Sequence, residues 1–306
     1  MSVLDDYVFA SDDGYVLPLK VAVSSLLVSC REHVRPMRVH VLDVGIDDMH
    51  WKDLVDFWKK LEGPKMLSIQ RHVVDLSRLK DLPQWHGSVA PYARLLLPEI
   101  LDSVSWCLYA DCDTLFLRDP TVLEGTLDDR LLVIGHKNPS WCDALDLAWF
   151  KNHGYELDSS CYVCTGLIAI NLQRLRQDGM QDRLFAFVKE SNGGASADQT
   201  AINYVCRGAV GLLPFEWGAF NCEVKYPTLA PCIHYANQTP WGKVKTWRHY
   251  LGEDEIEDVW FRFAEEIGAG QCLRRRFRPW WREGWRLLLA MTYRFLKKTR
   301  NLSSPR

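Results

Sequence analysis

The chain has 306 residues, 47% hydrophobic and 25% charged, enough for one large α/β domain or a domain with an appendage. The net charge of −2 conceals an asymmetry: residues 271–306 carry eleven Lys and Arg against one acid, Glu283, a local +10 that leaves −12 on residues 1–270. The acidic body and the lack of a nucleic-acid motif argue against a nucleic-acid partner, and no stretch approaches the roughly 18 uncharged apolar residues of a membrane span. The first six residues, Met1-Ser-Val-Leu-Asp-Asp6, have neither the basic nor the apolar region of a signal peptide. Ten cysteines without such a signal point to reduced thiols in a cytoplasm.

Residues 7–10 read as a short apolar strand that ends in a polar turn, Ser11-Asp12-Asp13-Gly14-Tyr15. Residues 16–28 follow helical spacing, with Leu19, Val23, Leu26 and Leu27 on one side. Residues 37–44 alternate as a strand through Val39, Val41 and Val44. Residues 46–61 form an amphipathic helix with Asp47 and Asp48 in its first turn, where the macrodipole favours acids. A strand is expected at 66–74, a short helix at 92–101 and a strand at 104–110. Further strands fall at 131–135 and 167–170, and helices at 172–191 and 197–206. Strands alternating with helices predict a mostly parallel sheet covered on both faces, with ligands beyond the carboxyl ends of its strands. The first strand ends at Asp12 and the fourth at Asp111, so both point to one crevice. Gly268-Ala269-Gly270 marks the expected boundary between a body, 1–267, and a basic tail, 268–306.

The most informative segment is Tyr109-Ala-Asp111-Cys112-Asp113-Thr-Leu-Phe-Leu-Arg118-Asp119-Pro120. Two carboxylates one residue apart at the end of a buried strand can share a hard divalent cation, and that cation can hold a diphosphate. An Asp-x-Asp arises by chance about once in roughly 300 residues, so the triplet alone reads as a surface turn. The strand before it and the apolar residues and Arg-Asp-Pro after it set it apart. It resembles the signature of glycosyltransferases that use nucleotide sugars.

Five other segments accompany it: Phe9-Ala10-Ser11-Asp12-Asp13-Gly14-Tyr15, Pro91-Tyr92-Ala93-Arg94-Leu95, Cys164-Thr165-Gly166-Leu-Ile-Ala-Ile-Asn171, Ala197-Asp198-Gln199-Thr200-Ala-Ile-Asn203, and Pro231-Cys-Ile-His234-Tyr-Ala-Asn237-Gln-Thr239-Pro240-Trp241-Gly242-Lys243. Singly, each has a plainer reading: helix caps at Asp12, Asp13 or Asp198, a surface arginine at Arg94, a histidine that binds nothing at His234. In their order over residues 6–245 they resemble glycosyltransferase family 8. These are retaining enzymes that include bacterial lipopolysaccharide glucosyl- and galactosyltransferases and glycogenin.

The resemblance implies an α/β, Rossmann-like nucleotide-sugar glycosyltransferase fold of the GT-A type with a mostly parallel mixed sheet. It implies a UDP-hexose donor, glucose or galactose, and a saccharide acceptor, lipid-linked as in lipopolysaccharide core. Backbone groups of Ala10 and Ser11, the Asp12 carboxylate and the Tyr15 ring would hold uracil and ribose. Asp111, Asp113 and His234 would bind Mn²⁺ (or Mg²⁺), with Cys112 between the two carboxylates in the donor site. Thr165 and Gly166 would line the sugar, the glycine allowing close approach. Asp198 would take sugar hydroxyls, Gln199 would lie near the anomeric carbon, and Arg94 would contact the sugar or orient carboxylates. These last three are the catalytic candidates. Asn237 stands near a family glycine, and Lys243 or Lys245 would meet the diphosphate. Gly14 and Cys164 replace the usual asparagines, and Thr239 replaces a lysine.

The cation would neutralise charge growing on departing UDP. A double displacement would need a nucleophile beneath the sugar. Gln199 is a neutral amide, so a front-face reaction is expected, with UDP taking the acceptor's proton. A nucleotide-sugar hydrolase, a nucleotidyltransferase and a non-catalytic UDP-sugar-binding protein would share the donor site. Cys161-x-x-Cys164 is either half a zinc site or a redox pair, or part of a core strand; no second pair matches it. In the tail, Arg alternates with Trp280, Trp281, Trp285, Leu287, Leu288, Leu289, Tyr293 and Phe295. That pattern suits either an anionic membrane surface or a helix docked on the body. The expected location is cytoplasmic, peripheral on the inner face of a bacterial plasma membrane.

Overall fold

The computed structural model describes residues 3–85, 87–137, 140–221, 223–224, 229–236, 239–241 and 255–269. Asn237, Lys243, Lys245 and residues 270–306, to which roles are assigned above, lie outside the described residues. The chain divides into two compact units, Met1–Asn237 and Gln238–Arg306.

In the first unit, β1 (Asp6–Ser11), α1 (Val16–Ser29), β2 (Met37–Asp43), α2 (Asp48–Trp58) and β3 (Leu67–Val73) follow one another as the periodicities require. A 3₁₀ turn at Ala90–Leu96 leads into α3 (Leu97–Ile100), then β4 (Trp106–Ala110) and the short β5 (Thr114–Phe116). Pro91 and Pro98 at the starts of the turn and of α3 explain why 92–101 is not one helix. Next come β6 (Val133–Lys137), α4 (Ser140–Asn152), β7 (Val163–Asn171), α5 (Leu172–Gln177) and α6 (Met180–Glu190). The single helix expected at 172–191 is two, because Gly179 turns the backbone left-handed, φ +60, between them. The unit closes with α7 (Ala197–Val205), β8 (Val210–Leu212), β9 (Trp217–Phe220) and β10 (Cys232–His234).

Seven strands form one sheet in the order β3-β2-β1-β4-β7-β6-β8. The β1, β2, β3 and β4 pairings and the β6–β8 pairing are parallel; β7 runs against both β4 and β6. Alternation splits the core into two layers. Tyr7, Phe9, Trp106 and Leu108 pack with α1 residues Leu19, Val23 and Leu26 on one face. Val8, Cys107 and Tyr109 pack with Tyr92, Leu95, Phe187 and Ile202 on the other. A second sheet, β5-β10-β9, is tied to α1 where the Phe116 amide donates to Ser25 Oγ at 2.9 Å.

This topology creates the crevice. β1 and β4 are parallel neighbours, so their carboxyl ends, Ser11 and Ala110, emerge together. Antiparallel β7 brings its own beginning to the same edge, and the Asp111 amide donates to the Gly166 carbonyl at 2.8 Å. β10 pairs His234 with Thr114, and the Tyr235 amide donates to the Asp113 carbonyl at 2.8 Å.

In the second unit the described residues include α8 (Glu255–Glu266). Its Trp260 is buried with its ring centroid 4.9 Å from that of Trp241. Gly268, the expected start of the tail, falls within this unit. Among the described residues, no helix is long and apolar enough to cross a membrane.

Candidate active site

Asp111, Asp113 and His234 each turn a ligand atom inward, all within 4.8 Å of one another. His234 Nε2 stands 3.2 Å from Asp113 Oδ1 and 4.0 Å from Asp111 Oδ2. Asp113 Oδ1 is buried and makes no hydrogen bond among the described residues; it faces the imidazole without hydrogen-bond geometry. Burial alone would lower the His234 imidazole, but the Asp113 carboxylate and Cys164 raise it well above the usual histidine range. Burial likewise pushes Asp113 up, and His234 outweighs it and holds the carboxyl below its usual range. The cluster therefore favours positive charge, which a proton on His234 or a bound cation can supply. An orphaned carboxylate oxygen, a second carboxylate and an imidazole fit a divalent cation.

The backbone opposite His234 must be glycine. A Cβ on Gly166 would lie 2.1 Å from His234 Cε1. The open space over this glycine is thus filled by the imidazole itself, a constraint separate from any approach by a sugar. Cys164, in the place of the expected asparagine, puts its Sγ 3.6 Å from His234 Nδ1 and accepts from the Gly166 amide at 3.4 Å. It supports the imidazole from behind. Cys161 is exposed in the turn before β7 and Cys164 is buried within it, as a strand residue rather than half of an exposed thiol pair.

Arg94 is no surface arginine: it is buried and joins the carboxylates. Nη2 donates to Asp111 Oδ1 at 2.7 Å, Nη1 to the Thr165 carbonyl at 2.5 Å, and Nε lies 3.1 Å from Asp198 Oδ2. Its guanidinium sits 4.1 Å over the Tyr109 ring, whose hydroxyl donates to Asp111 Oδ1 at 3.0 Å. Burial would lower Arg94, but Asp111 and Asp198 raise it, so its charge is permanent.

Asp198 and Gln199 enter from the start of α7. The turn before it is tight: Asn192, Gly193, Gly194 and Ala197 all have positive φ, Ala197 at +50. A left-handed alanine next to functional candidates is local strain of about 1 kcal/mol. Asn203 brackets Val163, accepting from its amide and donating to its carbonyl, both at 2.8 Å, which aligns α7 with β7. Asp198 accepts from Thr165 Oγ1 at 3.3 Å instead of capping the helix. Burial raises its carboxyl to about 6; Arg94 opposes the shift and Asp111 adds to it. The half-buried Gln199 accepts from the Thr165 amide through Oε1 at 3.2 Å. Its Nε2 donates at 3.2 Å to Asp146, a buried residue of α4 that no motif marks.

The first turn closes the crevice. Cys112 Sγ donates to the Ala10 carbonyl at 3.1 Å, joining the β1 and β4 ends. Ser11 Oγ donates to the Asp12 carbonyl at 3.0 Å. Asp12 makes no side-chain cap; Asp13 instead accepts from the Asp47 amide at 3.0 Å and His50 Nδ1 at 2.6 Å, latching the turn to α2. Tyr15 is 45% exposed, and partial burial with the nearby Asp113 and Cys112 raises its phenol.

Solved structures share this architecture. The WbbM bifunctional glycosyltransferase superposes with a TM-score of 0.69 at 18% identity, over 94% of this chain and 52% of its own. The galactosyltransferase LgtC, solved in complex with donor and acceptor sugar analogues, gives 0.68 at 21% identity, over 86% of this chain and 95% of its own. A curated Haemophilus influenzae protein, provisionally named a glycosyltransferase, is 22% identical over 206 residues. The match covers 66% of this chain and 59% of that relative's length. The sequence model of glycosyl transferase family 8 matches residues 6–250, which span the carboxylate pair, the buried arginine, the α7 residues and His234. The chain belongs to that family, and its fold is of the GT-A type.

Proposed function

We propose that this protein transfers a hexose, glucose or galactose, with retention from a UDP-sugar to a saccharide acceptor, and that the acceptor is lipid-linked. The observation that carries the reading is Asp113 Oδ1, buried and unbonded among the described residues beside His234 and Asp111. Asp111, Asp113 and His234 would hold Mn²⁺ (or Mg²⁺), which when bound neutralises the charge growing on departing UDP. Ala10, Ser11, Asp12 and Tyr15 would hold the uridine, with Cys112 tying the nucleotide turn to the carboxylates. Arg94 keeps Asp111 and Asp198 apart by a fixed cation and stops their mutual repulsion from opening the site. Thr165, Gly166 and Asp198 would meet the sugar, and Gln199 the anomeric carbon. Asn237 and Lys243 would complete the diphosphate end.

Gln199 is a neutral amide, so the acceptor hydroxyl attacks from the face the phosphate leaves. The new glycosidic bond forms as the anomeric carbon–phosphate bond breaks, and the hydroxyl proton passes to the UDP oxygen. The catalytic body is residues 1–267. Residues 268–306, rich in Arg and Trp, would sit on an anionic lipid surface and bring the body to its acceptor on the inner face of a plasma membrane.

The test is UDP release from a panel of UDP-sugars with and without Mn²⁺, for the wild type and Asp113→Ala. Mn²⁺-dependent release from one UDP-hexose that needs an acceptor and disappears in the variant is expected. Release independent of acceptor would favour a hydrolase. UDP binding without release from any sugar would favour a binding protein.

A further inference from the structure

A glutamine amide can turn either end toward a ligand at little steric cost, because oxygen and nitrogen are nearly the same size while one accepts and the other donates. Beside a carbon that gains positive charge, the oxygen helps and the NH₂ hinders. The orientation of Gln199 therefore matters, and it is supplied from α4. Asp146 is 4% exposed, and as a carboxylate it only accepts. Its Oδ2 receives the Tyr162 hydroxyl at 2.6 Å and Gln199 Nε2 at 3.2 Å; its Oδ1 receives Ser196 Oγ at 2.8 Å. Facing that carboxylate, Gln199 can present only its NH₂. Its Oε1 must then turn to β7, where the Thr165 amide, which only donates, lies at 3.2 Å. Both ends of the amide are thus determined by partners of fixed polarity. Oε1 keeps one lone pair for a ligand on the side shared with Thr165, Arg94 and Asp198.

We infer that Asp146 is a positioning residue that locks the Gln199 amide with its oxygen toward Thr165 and the donor sugar. The inference rests on the proposed place of Gln199 beside that sugar. Asp146 itself touches no donor: it acts through Gln199, and Tyr162 and Ser196 hold it in place. It lies outside the ordered motifs, on a helix whose sequence shows no clear apolar face.

The test is a double-mutant cycle on the full-length protein with Mn²⁺, using UDP, UDP-glucose and UDP-galactose as calorimetric ligands. The readout is the ratio of Kd for the better UDP-hexose to Kd for UDP. Asp146→Ala should leave UDP affinity within about twofold and worsen the ratio by about fivefold or more, yet by less than about twofold when Gln199→Ala is already present. Asp146→Ser, which supplies a smaller polar group and leaves room for water, is read by the same criteria if the alanine variant does not fold. Equal worsening in both backgrounds, or none in either, would overturn the inference while leaving the role of Gln199 intact. A ratio unchanged by Gln199→Ala alone, or no UDP-hexose binding at all, would instead sink the donor reading and take this inference with it.

Discussion

Buried polar groups gather at both ends of strand β1, and the two ends are built differently. At its start, Asp6 accepts from Arg38 Nε at 2.6 Å, Arg38 Nη2 at 2.7 Å and His40 Nε2 at 2.9 Å, and His40 Nδ1 meets His72 Nε2 at 3.0 Å. Burial pushes the Asp6 carboxyl up, but these partners outweigh it and lower it. At the carboxyl edge, Asp113 keeps an unbonded buried oxygen and Asp198 is raised to about 6. The same sheet that saturates one acid leaves an oxygen of another without a hydrogen bond among the described residues. Polar groups paired among themselves stabilise a fold; groups left short are where a ligand contributes.

Substitutions at the two ends should separate these roles. The largest effect is expected at the carboxyl edge: Asp113→Ala or His234→Ala should lower Mn²⁺-dependent UDP release by about 100-fold or more while the circular dichroism spectrum is retained. A spectrum collapsed by either change would mean that the cluster is structural, like the one at the amino end. Gly166→Ala should lower metal affinity by roughly 10-fold, because its Cβ would occupy the His234 ring position. Unchanged Mn²⁺ affinity in that variant would show that His234 does not ligate. Asp6→Ala is expected to lower unfolding free energy by roughly 2 kcal/mol, a buried-pair loss reduced by the partial exposure of Arg38, with activity per folded molecule unchanged. Urea unfolding and UDP release on the same sample check both halves.

The smallest effect is a slope. Asp198 binds its proton more tightly folded than unfolded, so between its ordinary 3.8 and about 6 the native state carries more protons. Stability contributed by this group therefore falls as pH rises through that window and is level above it. Asp198→Asn should flatten that part of the profile, as urea midpoints at pH 4.5 and 7.5 would reveal. An unaltered slope would mean that the carboxyl titrates normally.

The frame was legible because its signals are local. Alternation in β1, β2 and β4 and the apolar spacing of α1 lie in the chain itself, and the order of motifs identifies the carboxylates, Arg94 and His234. What escaped depends on contacts distant in sequence. Asp146 sits on α4, whose apolar residues follow no clean stripe, and meets Gln199 only because Asn203 aligns α7 with β7. The three-residue strands β5, β8 and β10 are too short for periodicity to register. Gly166 signalled close approach, but the partner that needs it, His234, is 68 residues away along the chain.

The most direct test of the central claim is calorimetric titration of Mn²⁺ into the protein with UDP present, for wild type and Asp113→Ala. The account predicts one Mn²⁺ per chain in the wild type, UDP affinity that depends on it, and loss of both in the variant. UDP binding that is indifferent to Mn²⁺, or an Asp113→Ala variant that binds the ion as the wild type does, would contradict it.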